Sequence, residues 1–314
     1  MLNIRRFVQG VDEPVWVDVL NASQKDRENW RAITAEEMLL QEKEDPSFDL
    51  EGRFIAELER RPVGAVHANV EKLREERKGF IRFYVIPECR GRGIEHQLVE
   101  TALRELKARG MATAQASVDS RELDYIPLLE GLDFKQVRVG SIMEMDLANI
   151  PQGIGENRQI AIRTLRKDQE EDIKLWTWLL NETFEEHFNF RPNTLEEMHH
   201  FLLSDLYYKK EKEILFAILD AETVGYIGVG IDERYNLEKN VEMGHIFTIG
   251  VLKKRRRRGI GARLMLQGLE ALQAKGATKA MLGVDDYNPT KARRLYEKVG
   301  FGVKKKDLVF ERGL

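Results

Sequence analysis

The stretch KKRRRRGIGARL, from Lys253 to Leu264, places six consecutive cations directly before the sequence Gly259-Ile260-Gly261. It follows an apolar, β-branched segment, His245 to Val251, which has the composition of a buried strand. After it, apolar residues recur at helical spacing from Ala262 to Leu272. The stretch is therefore predicted to form the turn between a central strand and a helix.

The two glycines in this turn indicate what it binds. The N-terminus of a helix offers unpaired N–H groups and the positive end of the helix dipole, so it suits a phosphate. Gly259 and Gly261 let a diphosphate approach the backbone without a Cβ atom in the way, and the arginines add charge. The spacing Arg256-x-x-Gly259-x-Gly261 is neither the dinucleotide-binding pattern, because Leu264 replaces its third glycine, nor a P-loop. It predicts a cradle for a phosphorylated small molecule.

The composition argues against a nucleic-acid partner. The chain has 314 residues, a formal net charge of −3 and a pI of about 6.2, whereas a protein that binds nucleic-acid backbone is usually basic. No aromatic residue for base stacking interrupts the cationic run. We interpret Lys253, Lys254 and Arg255 as solvated residues of the turn.

The chain shows no signal for a metal or a membrane. One cysteine, Cys89, excludes an internal disulfide and a cysteine-rich metal site, and the histidines lack metal-ligand spacing. We find no N-terminal signal pattern and no apolar stretch near the ~20 residues of a membrane span. A cytoplasmic location is expected.

The sequence repeats itself. WRAITAEEM from Trp30 matches FRPNTLEEM from Phe190, and both contain a helix-capping box, Thr-x-x-Glu. RGRGI ending at Ile94 likewise matches RRRGI ending at Ile260. We predict an N-terminal domain over residues 1–147, a linker rich in Gly, Pro and Asn over 148–158, and a C-terminal domain over 159–314. Helices are predicted in the second domain at Leu175 to Phe188 and Leu195 to Leu206.

Further motifs follow the turn at the expected distance. After the helix and another strand, the second copy contains Asn288, Ala292, Leu295, Tyr296, Gly300 and Phe301. The order of strand, R-x-x-G-x-G, helix, strand and this block resembles the GNAT acetyltransferase superfamily, and the resemblance covers both halves. It implies an α/β (α+β) fold of two tandem GNAT domains, each with a mixed central sheet flanked by helices. It also implies acetyl-CoA as donor.

The resemblance assigns roles to residues of the second copy. The diphosphate of CoA is expected on the N–H groups of the turn, the Val251 N–H on the thioester carbonyl, and the Tyr296 phenol beside the sulfur. Asn288 is expected to contact CoA or to cap the helix. The expected CoA-binding residues are Ile249, Val251, Arg256, Arg257, Arg258, Gly259, Ile260, Gly261, Asn288 and Arg293.

A general base is expected on the strand before the turn. Six residues before Val251 stands His245, and six before Val85 in the first copy stands Gly79. Many GNAT enzymes carry a carboxylate at this position, and a histidine also titrates near neutral pH. His245 is therefore the first candidate for the base, with Glu242 acting through a water as the second; a histidine hydrogen-bonded inside the sheet is the alternative.

The first copy is predicted to be degenerate. Glu95 stands where the second copy has Gly261, and a carboxylate there repels a diphosphate. Leu129 replaces Tyr296. The candidates for a second, weaker CoA site are Val85, Arg90, Gly91, Arg92 and Gly93, and the sequence leaves open whether the first copy binds CoA.

These observations lead to one functional hypothesis and one alternative. The hypothesis is an acetyl-CoA-dependent N-acetyltransferase that acetylates a primary amine, on a small molecule or a peptide, by direct transfer in a ternary complex in the second domain. The alternative is a non-catalytic acyl-CoA-binding or sensor protein, which has no need of both His245 and Tyr296. The segment Glu185 to Met198 is expected to shape the acceptor pocket. The sequence leaves the acceptor and the oligomeric state open.

Overall fold

A computed structural model describes residues 1–28, 30–153, 155–157, 159–203 and 212–314. The helices are α1 Glu13–Gln24, α2 Ala35–Glu44, α3 Ile94–Ala108, α4 Tyr125–Gly131, α5 Glu170–Phe184, α6 Leu195–Leu203, α7 Glu233–Lys239, α8 Ile260–Ala274 and α9 Ala292–Val299. The strands are β1 Leu2–Arg6, β2 Arg53–Leu58, β3 Arg61–Val70, β4 Lys78–Val85, β5 Thr113–Asp119, β6 Lys135–Asp146, β7 Ala161–Thr164, β8 Glu213–Leu219, β9 Glu222–Ile231, β10 Met243–Val251, β11 Lys279–Asp285 and β12 Gly302–Gly313.

The chain forms two compact units, and each contains a mixed sheet as predicted. Unit 1 is Met1–Val139 with Asp307–Leu314, and unit 2 is Gly140–Lys306. In unit 1 the strands β1 to β5 lie in order, only β4 and β5 pair in parallel, and residues 307–313 of β12 pair antiparallel with β5. In unit 2 the strands β7 to β11 lie in order, β10 and β11 pair in parallel, and residues 140–146 of β6 pair with β11.

The compact units differ from the division drawn in the sequence. The predicted linker at 148–158 separates the two repeats of the motifs, whereas residues 140–147 belong to unit 2 and the last eight residues belong to unit 1. Repeat spacing reports which segments resemble each other and carries no information on which strands pair. Ile154 and Arg158 of the predicted linker lie outside the described residues.

The helix after the turn and the helices before β8 cover opposite faces of the sheet in unit 2. The apolar stripe of α8 is fully buried at Met265, Leu269 and Leu272, which at ~1.5–3 kcal/mol per large side chain holds the helix on β8, β9 and β10. A second cluster forms around Trp176 of α5 and Tyr226 of β9. Strand β10 is therefore fixed from both faces.

Two predicted helix boundaries need correction or lie outside the structure. Helix α5 runs from Glu170 to Phe184, earlier than predicted, because three acidic residues favour its first turn and a backbone turn follows at Phe184. Helix α6 ends at Leu203, and the predicted continuation to Leu206 lies outside the described residues. Among the described residues, no helix is long and apolar enough to cross a membrane.

A gap opens between the two parallel strands of unit 2. Strands β10 and β11 pair only from Met243 to Ile246 and from Lys279 to Leu282. Beyond Ile246, β10 contains a bulge and continues to Val251 paired with β9 alone. The two strands are no longer paired over these last residues, so a cleft opens between them.

Asp172 anchors the start of α5, and its removal is expected to destabilise the protein. Its carboxylate accepts hydrogen bonds from Arg166 and Arg163, which hold its pKa well below the ordinary value against the opposing effect of burial. A lowered pKa stabilises the fold above the unfolded-state pKa of ~3.9, and this contribution is lost as pH falls below it. Asp172→Asn is expected to lower the free energy of unfolding by about 2 kcal/mol at neutral pH, measured by urea denaturation.

The exposed residue Asp168 provides the matched control for this prediction. Asp168→Asn is expected to leave the urea midpoint within about 0.5 kcal/mol of the parent. The difference between the two variants should shrink at about pH 3, below the unfolded-state pKa of the carboxyl group. An Asp172→Asn variant as stable as Asp168→Asn would show that the ion pairs do not stabilise the fold.

Candidate active site

A cavity of about 540 Å³ lies in unit 2 where β10 and β11 separate. Its walls are the second half of β10, the turn and first residues of α8, the end of β11, the loop and first turns of α9, and the C-terminal end of α5 with the residues after it. Of the predicted residues, the structure brings together Ile249, Val251, Arg256, Arg257, Gly259, Ile260, Gly261, Asn288 and Tyr296. His245, Glu242, Arg258 and Arg293 do not line the cavity.

The turn before α8 offers backbone N–H groups to this cavity. Gly259 has a φ of +80°, a left-handed conformation that favours glycine, and α8 begins at the next residue. A Cβ at Gly261 would have only the side chains of Leu295, at 3.3 Å, and Val251, at 4.0 Å, nearby. Within the described part of the chain, nothing accepts the N–H of Arg257. These groups fit the diphosphate of a CoA thioester.

Arg256 performs a structural task that the sequence did not reveal. Its Nε donates to the Val251 carbonyl at 3.0 Å, and its guanidinium also reaches the Thr183 carbonyl and Glu186. Arg90 in unit 1 makes the same pair of contacts, because it donates to the Val85 carbonyl at 3.1 Å and to a carbonyl of α1. The first arginine of the motif therefore ties the strand end to the preceding helix in both units.

Other cations near the turn either form ion pairs outside the cavity or line it. Lys253 pairs with Glu186, and Arg255 pairs with Glu222. Arg257, Lys291 and Arg294 are exposed and line the cavity, where they can attract phosphate groups.

Arg293 was predicted to bind CoA, and the structure places its neighbour Arg294 at the cavity instead. Arg293 forms ion pairs with Asp286 and Glu297 at 3.2 and 2.8 Å and does not line the cavity. Helical spacing of three residues from Lys291 selects Arg294 instead, and this signal was available in the sequence.

The bulge in β10 changes the comparison between the two copies. The parallel pairings place Gly79 opposite Ala114 and Gly244 opposite Ala280, so Gly79 corresponds to Gly244. A Cβ at either glycine would collide with a leucine of the covering helix. The counterpart of His245 is therefore Phe80, and the predicted pairing of His245 with Gly79 was wrong. Counting residues missed the extra residue that the bulge inserts.

His245 lies just before the cavity, on the sheet face opposite to α8. Its ring stands edge-on to Tyr235 of α7 with centroids 5.9 Å apart. Burial lowers the pKa of His245, and Asp232 opposes this effect. Glu242 is exposed before the start of β10, and its carbonyl accepts the N–H groups of Thr278 and Lys279.

Tyr296 lies in the wall of the cavity with 6% of its surface exposed. Burial raises the pKa of its phenol far above the ordinary value, and Tyr226 adds to this effect. The group therefore stays protonated and can act as a proton donor. Asn288 lines the cavity too, and its Oδ1 accepts hydrogen bonds from the N–H and hydroxyl of Thr290, so it shapes the loop before α9.

Several polar residues of the cavity were not singled out from the sequence. Thr183 and His187, at the end of α5 and just after it, and Asp285, at the end of β11, all line it. Burial lowers the pKa of His187, while Asp285 raises it. No motif contains Thr183 or Asp285, whereas His187 belongs to the segment Glu185 to Met198 that was expected to shape the acceptor pocket.

In unit 1 the corresponding cradle is closed by its own side chain. Glu95 is buried, and its carboxylate accepts the N–H of Gly91 at 3.2 Å. Gly91 is the counterpart of Arg257, so the carboxylate takes the place at which a diphosphate would bind. Tyr84 stands where unit 2 has Gly250, since both lie one residue before the valine that ends the strand.

The comparisons with known proteins agree with this geometry. The model of the acetyltransferase (GNAT) family matches residues 16–134 and 173–301. The chain belongs to this family. It is therefore an N-acetyltransferase with a tandem GNAT layout, and the family uses acetyl-CoA as co-substrate.

One named relative matches about three quarters of the chain, and two solved structures match nearly all of it. A mycothiol acetyltransferase of Acidothermus cellulolyticus is 28% identical over 237 residues, which cover 73% of this chain and 70% of that protein. A tandem GNAT protein from the clavulanic acid biosynthesis pathway superposes with a TM-score of 0.77 at 14% identity, covering 100% of this chain and 98% of that one. A GCN5-related N-acetyltransferase from Sphaerobacter thermophilus gives 0.73 at 21% identity, covering 99% and 95%. The two structures show the fold alone.

Proposed function

We propose that the chain transfers the acetyl group of acetyl-CoA directly to a primary amine, in a ternary complex, and that the reaction takes place in unit 2. The observation that carries this proposal is the cavity itself. It joins a cradle of free N–H groups, a buried phenol and the end of α5 in one space of about 540 Å³. A cleft of this size holds both substrates and thereby removes most of the entropic cost of their encounter.

The donor is assigned to the side of the cavity that α8 and α9 form. The N–H groups from Arg257 to Gly261 hold the diphosphate, and Arg257, Lys291 and Arg294 supply positive charge. The arm with the thioester then runs along residues 249–251 of β10, and the N–H of Val251 polarises the thioester carbonyl. The acceptor enters beside α5, and relatives named mycothiol acetyltransferase favour a small molecule in this place.

The chemistry needs one proton acceptor and one proton donor. The amine loses a proton to His245, directly or through water, and attacks the carbonyl carbon of the thioester. As the tetrahedral intermediate collapses, the C–S bond breaks, and Tyr296 donates its proton to the sulfur. The nitrogen loses its second proton, which returns the Tyr296 phenolate to the phenol through water, while His245 releases the first proton to the solvent. Burial supports both roles, because it keeps His245 neutral and Tyr296 protonated near neutral pH.

An acceptor screen tests the proposal. The parent protein is incubated with acetyl-CoA and a panel of primary amines that includes amino acids, amino sugars, n-butylamine and short peptides, and the released thiol is measured. Amine-dependent thiol release that disappears in unit 2 variants of the cavity is the expected result. Tight binding of acetyl-CoA without transfer to any amine would favour the acyl-CoA sensor.

The general base is tested by exchanging two histidines separately. His245→Gln is expected to reduce kcat/KM about tenfold at neutral pH and to recover at high pH, where the amine is already neutral. Because burial lowers the pKa of His245, the acidic limb of the parent profile should have its midpoint below the ~6.5 of a free imidazole. The measurement is a pH profile of thiol release.

His187→Gln is the matched variant, because His187 is a second buried histidine and lines the cavity. If His187→Gln removes the acidic limb and His245→Gln does not, the base is His187. If neither variant changes the profile, neither histidine is the base, and Glu242 acting through a water is the next candidate to test.

A further inference from the structure

A chain of three hydroxyl groups runs from the interior of unit 2 to the cavity. The Oγ1 of Thr183 lies 2.8 Å from the Leu179 carbonyl and 3.1 Å from the Tyr226 hydroxyl, and the Oγ1 of Thr248 lies 3.4 Å from the same hydroxyl. Tyr226 is fully buried, while Thr248 and Thr183 line the cavity. The mechanism above gives no task to this chain.

The hydrogen bonds of this hydroxyl chain have one favourable direction. A carbonyl oxygen only accepts, so the single proton of Thr183 points to Leu179. The Thr183 oxygen then accepts the proton of Tyr226, and burial supports this donation because it raises the pKa of the Tyr226 phenol to about 12. The Tyr226 oxygen accepts the proton of Thr248 in turn. The Thr248 oxygen is left with lone pairs only, and it presents them to the cavity.

Among its described residues, unit 1 lacks the counterparts of the Tyr226 and Thr248 hydroxyl groups. The strand registers place Ala65 at the position of Tyr226 and the exposed Arg82 at the position of Thr248. Ser23 is the counterpart of Thr183, since Arg90 donates to its carbonyl, and its hydroxyl donates to the Leu20 carbonyl. The hydroxyl chain therefore occurs in the unit that contains the cavity, and it is absent from the unit whose cradle is closed.

The absence of a side chain at Gly250 leaves space for the hydroxyl chain. A Cβ at this position would lie 2.4 Å from the Thr183 Oγ1 and 2.8 Å from the Tyr226 ring. The bulge at Phe247 places Thr248 on the face of α5, away from α8 and the diphosphate cradle. The fixed lone pairs thus lie on the side of the cavity assigned to the acceptor.

We propose that the Thr248 hydroxyl, fixed as a hydrogen-bond acceptor through Tyr226 and Thr183, holds an N–H group of the acceptor amine. A neutral primary amine has two hydrogens and one lone pair. When Thr248 accepts one hydrogen, the lone pair is free to face the thioester carbonyl. The site then selects an acceptor that donates a hydrogen bond at this point, as a primary amine does. This inference rests on the proposed function.

The kinetic test compares Thr248→Val with Thr248→Ser. With saturating acetyl-CoA and n-butylamine as the probe amine, Thr248→Val is expected to lower kcat/KM for the amine about tenfold, and Thr248→Ser to restore it. Tyr226→Phe should act in the same direction, since it leaves Thr248 free to donate. Thr177→Val is the control. Thr177 lies on the same helix as Thr183, is buried, and its hydroxyl donates to the Ile173 carbonyl.

Acetyl-CoA affinity, measured by calorimetry, separates the two sources of an N–H group. Unchanged affinity in Thr248→Val supports the amine, whereas a loss equal to the kinetic loss assigns the N–H to the amide groups of the CoA arm and overturns the proposal. Equal kcat/KM in the parent and Thr248→Val also overturns it.

A neutron structure of the deuterium-exchanged parent protein tests the direction of the chain without any acceptor. The deuterium of Tyr226 should point to Thr183 and that of Thr248 to Tyr226. The reverse order would overturn the inference. If the parent acetylates no amine, the proposed function fails, and this map still decides whether Thr248 is fixed as an acceptor.

Discussion

Replacing Gly261 by glutamate is expected to weaken acetyl-CoA binding at least about 100-fold, measured by calorimetry. Position 261 corresponds to Glu95 of unit 1, whose carboxylate accepts the N–H of Gly91 at 3.2 Å. A carboxylate at position 261 can reach the N–H of Arg257 in the same way. It would occupy the cradle and repel the diphosphate, because both carry negative charge.

Two further variants separate charge from bulk. Gly261→Gln has the same size without the charge, and we expect a smaller loss. Gly261→Ala adds only a Cβ, which meets a flexible leucine side chain at 3.3 Å, and should bind nearly as the parent does. If Gly261→Glu binds acetyl-CoA with unchanged affinity, the cradle does not hold the diphosphate.

Replacing Tyr296 by phenylalanine is expected to lower kcat about 100-fold and to leave acetyl-CoA affinity nearly unchanged. Its phenol protonates a thiolate that forms only as the C–S bond breaks. The hydroxyl group therefore contributes little to the binding of intact acetyl-CoA. Tyr296 is buried in the cavity wall, and phenylalanine keeps the packing of the ring. Thiol release under saturating substrates measures the effect.

Tyr287→Phe is the control, because Tyr287 belongs to the loop before α9, is 58% exposed and does not line the cavity. This variant should turn over at the parent rate. Full activity in Tyr296→Phe would mean that the tyrosine serves packing alone and that the thiolate takes its proton from water. A parallel loss of affinity and rate would instead indicate that the ring positions the donor.

The sequence predicted the fold and the glycine-containing turn before α8, because both depend on local patterns. The stripe of α8, the glycines of the turn and the block from Asn288 to Phe301 are each read from spacing within one segment. The tandem GNAT fold followed from comparing these segments, and the degeneracy of the first copy, inferred in the same way, stays a prediction. Glu95 was predicted to repel a diphosphate, and the structure adds that its carboxylate caps the turn itself.

The features that the sequence did not yield depend on contacts between distant segments. The bulge at Phe247 shifted the register, so Gly79 was compared with His245 when its counterpart is Gly244. The membership of residues 307–314 in unit 1 depends on strand pairing and leaves no mark in a repeat. The hydroxyl chain joins α5, β9 and β10, and the residue spacing within any one of these elements does not predict it.

A crystal structure with a thioether analogue of acetyl-CoA tests the central claim most directly, because it shows where the donor binds and what surrounds its reacting carbon. The account predicts the diphosphate on the N–H groups from Arg257 to Gly261, with the sulfur beside the Tyr296 phenol and the face of Thr248 open for an amine. A diphosphate on Gly91 to Gly93 of unit 1, or a sulfur remote from Tyr296, would contradict it.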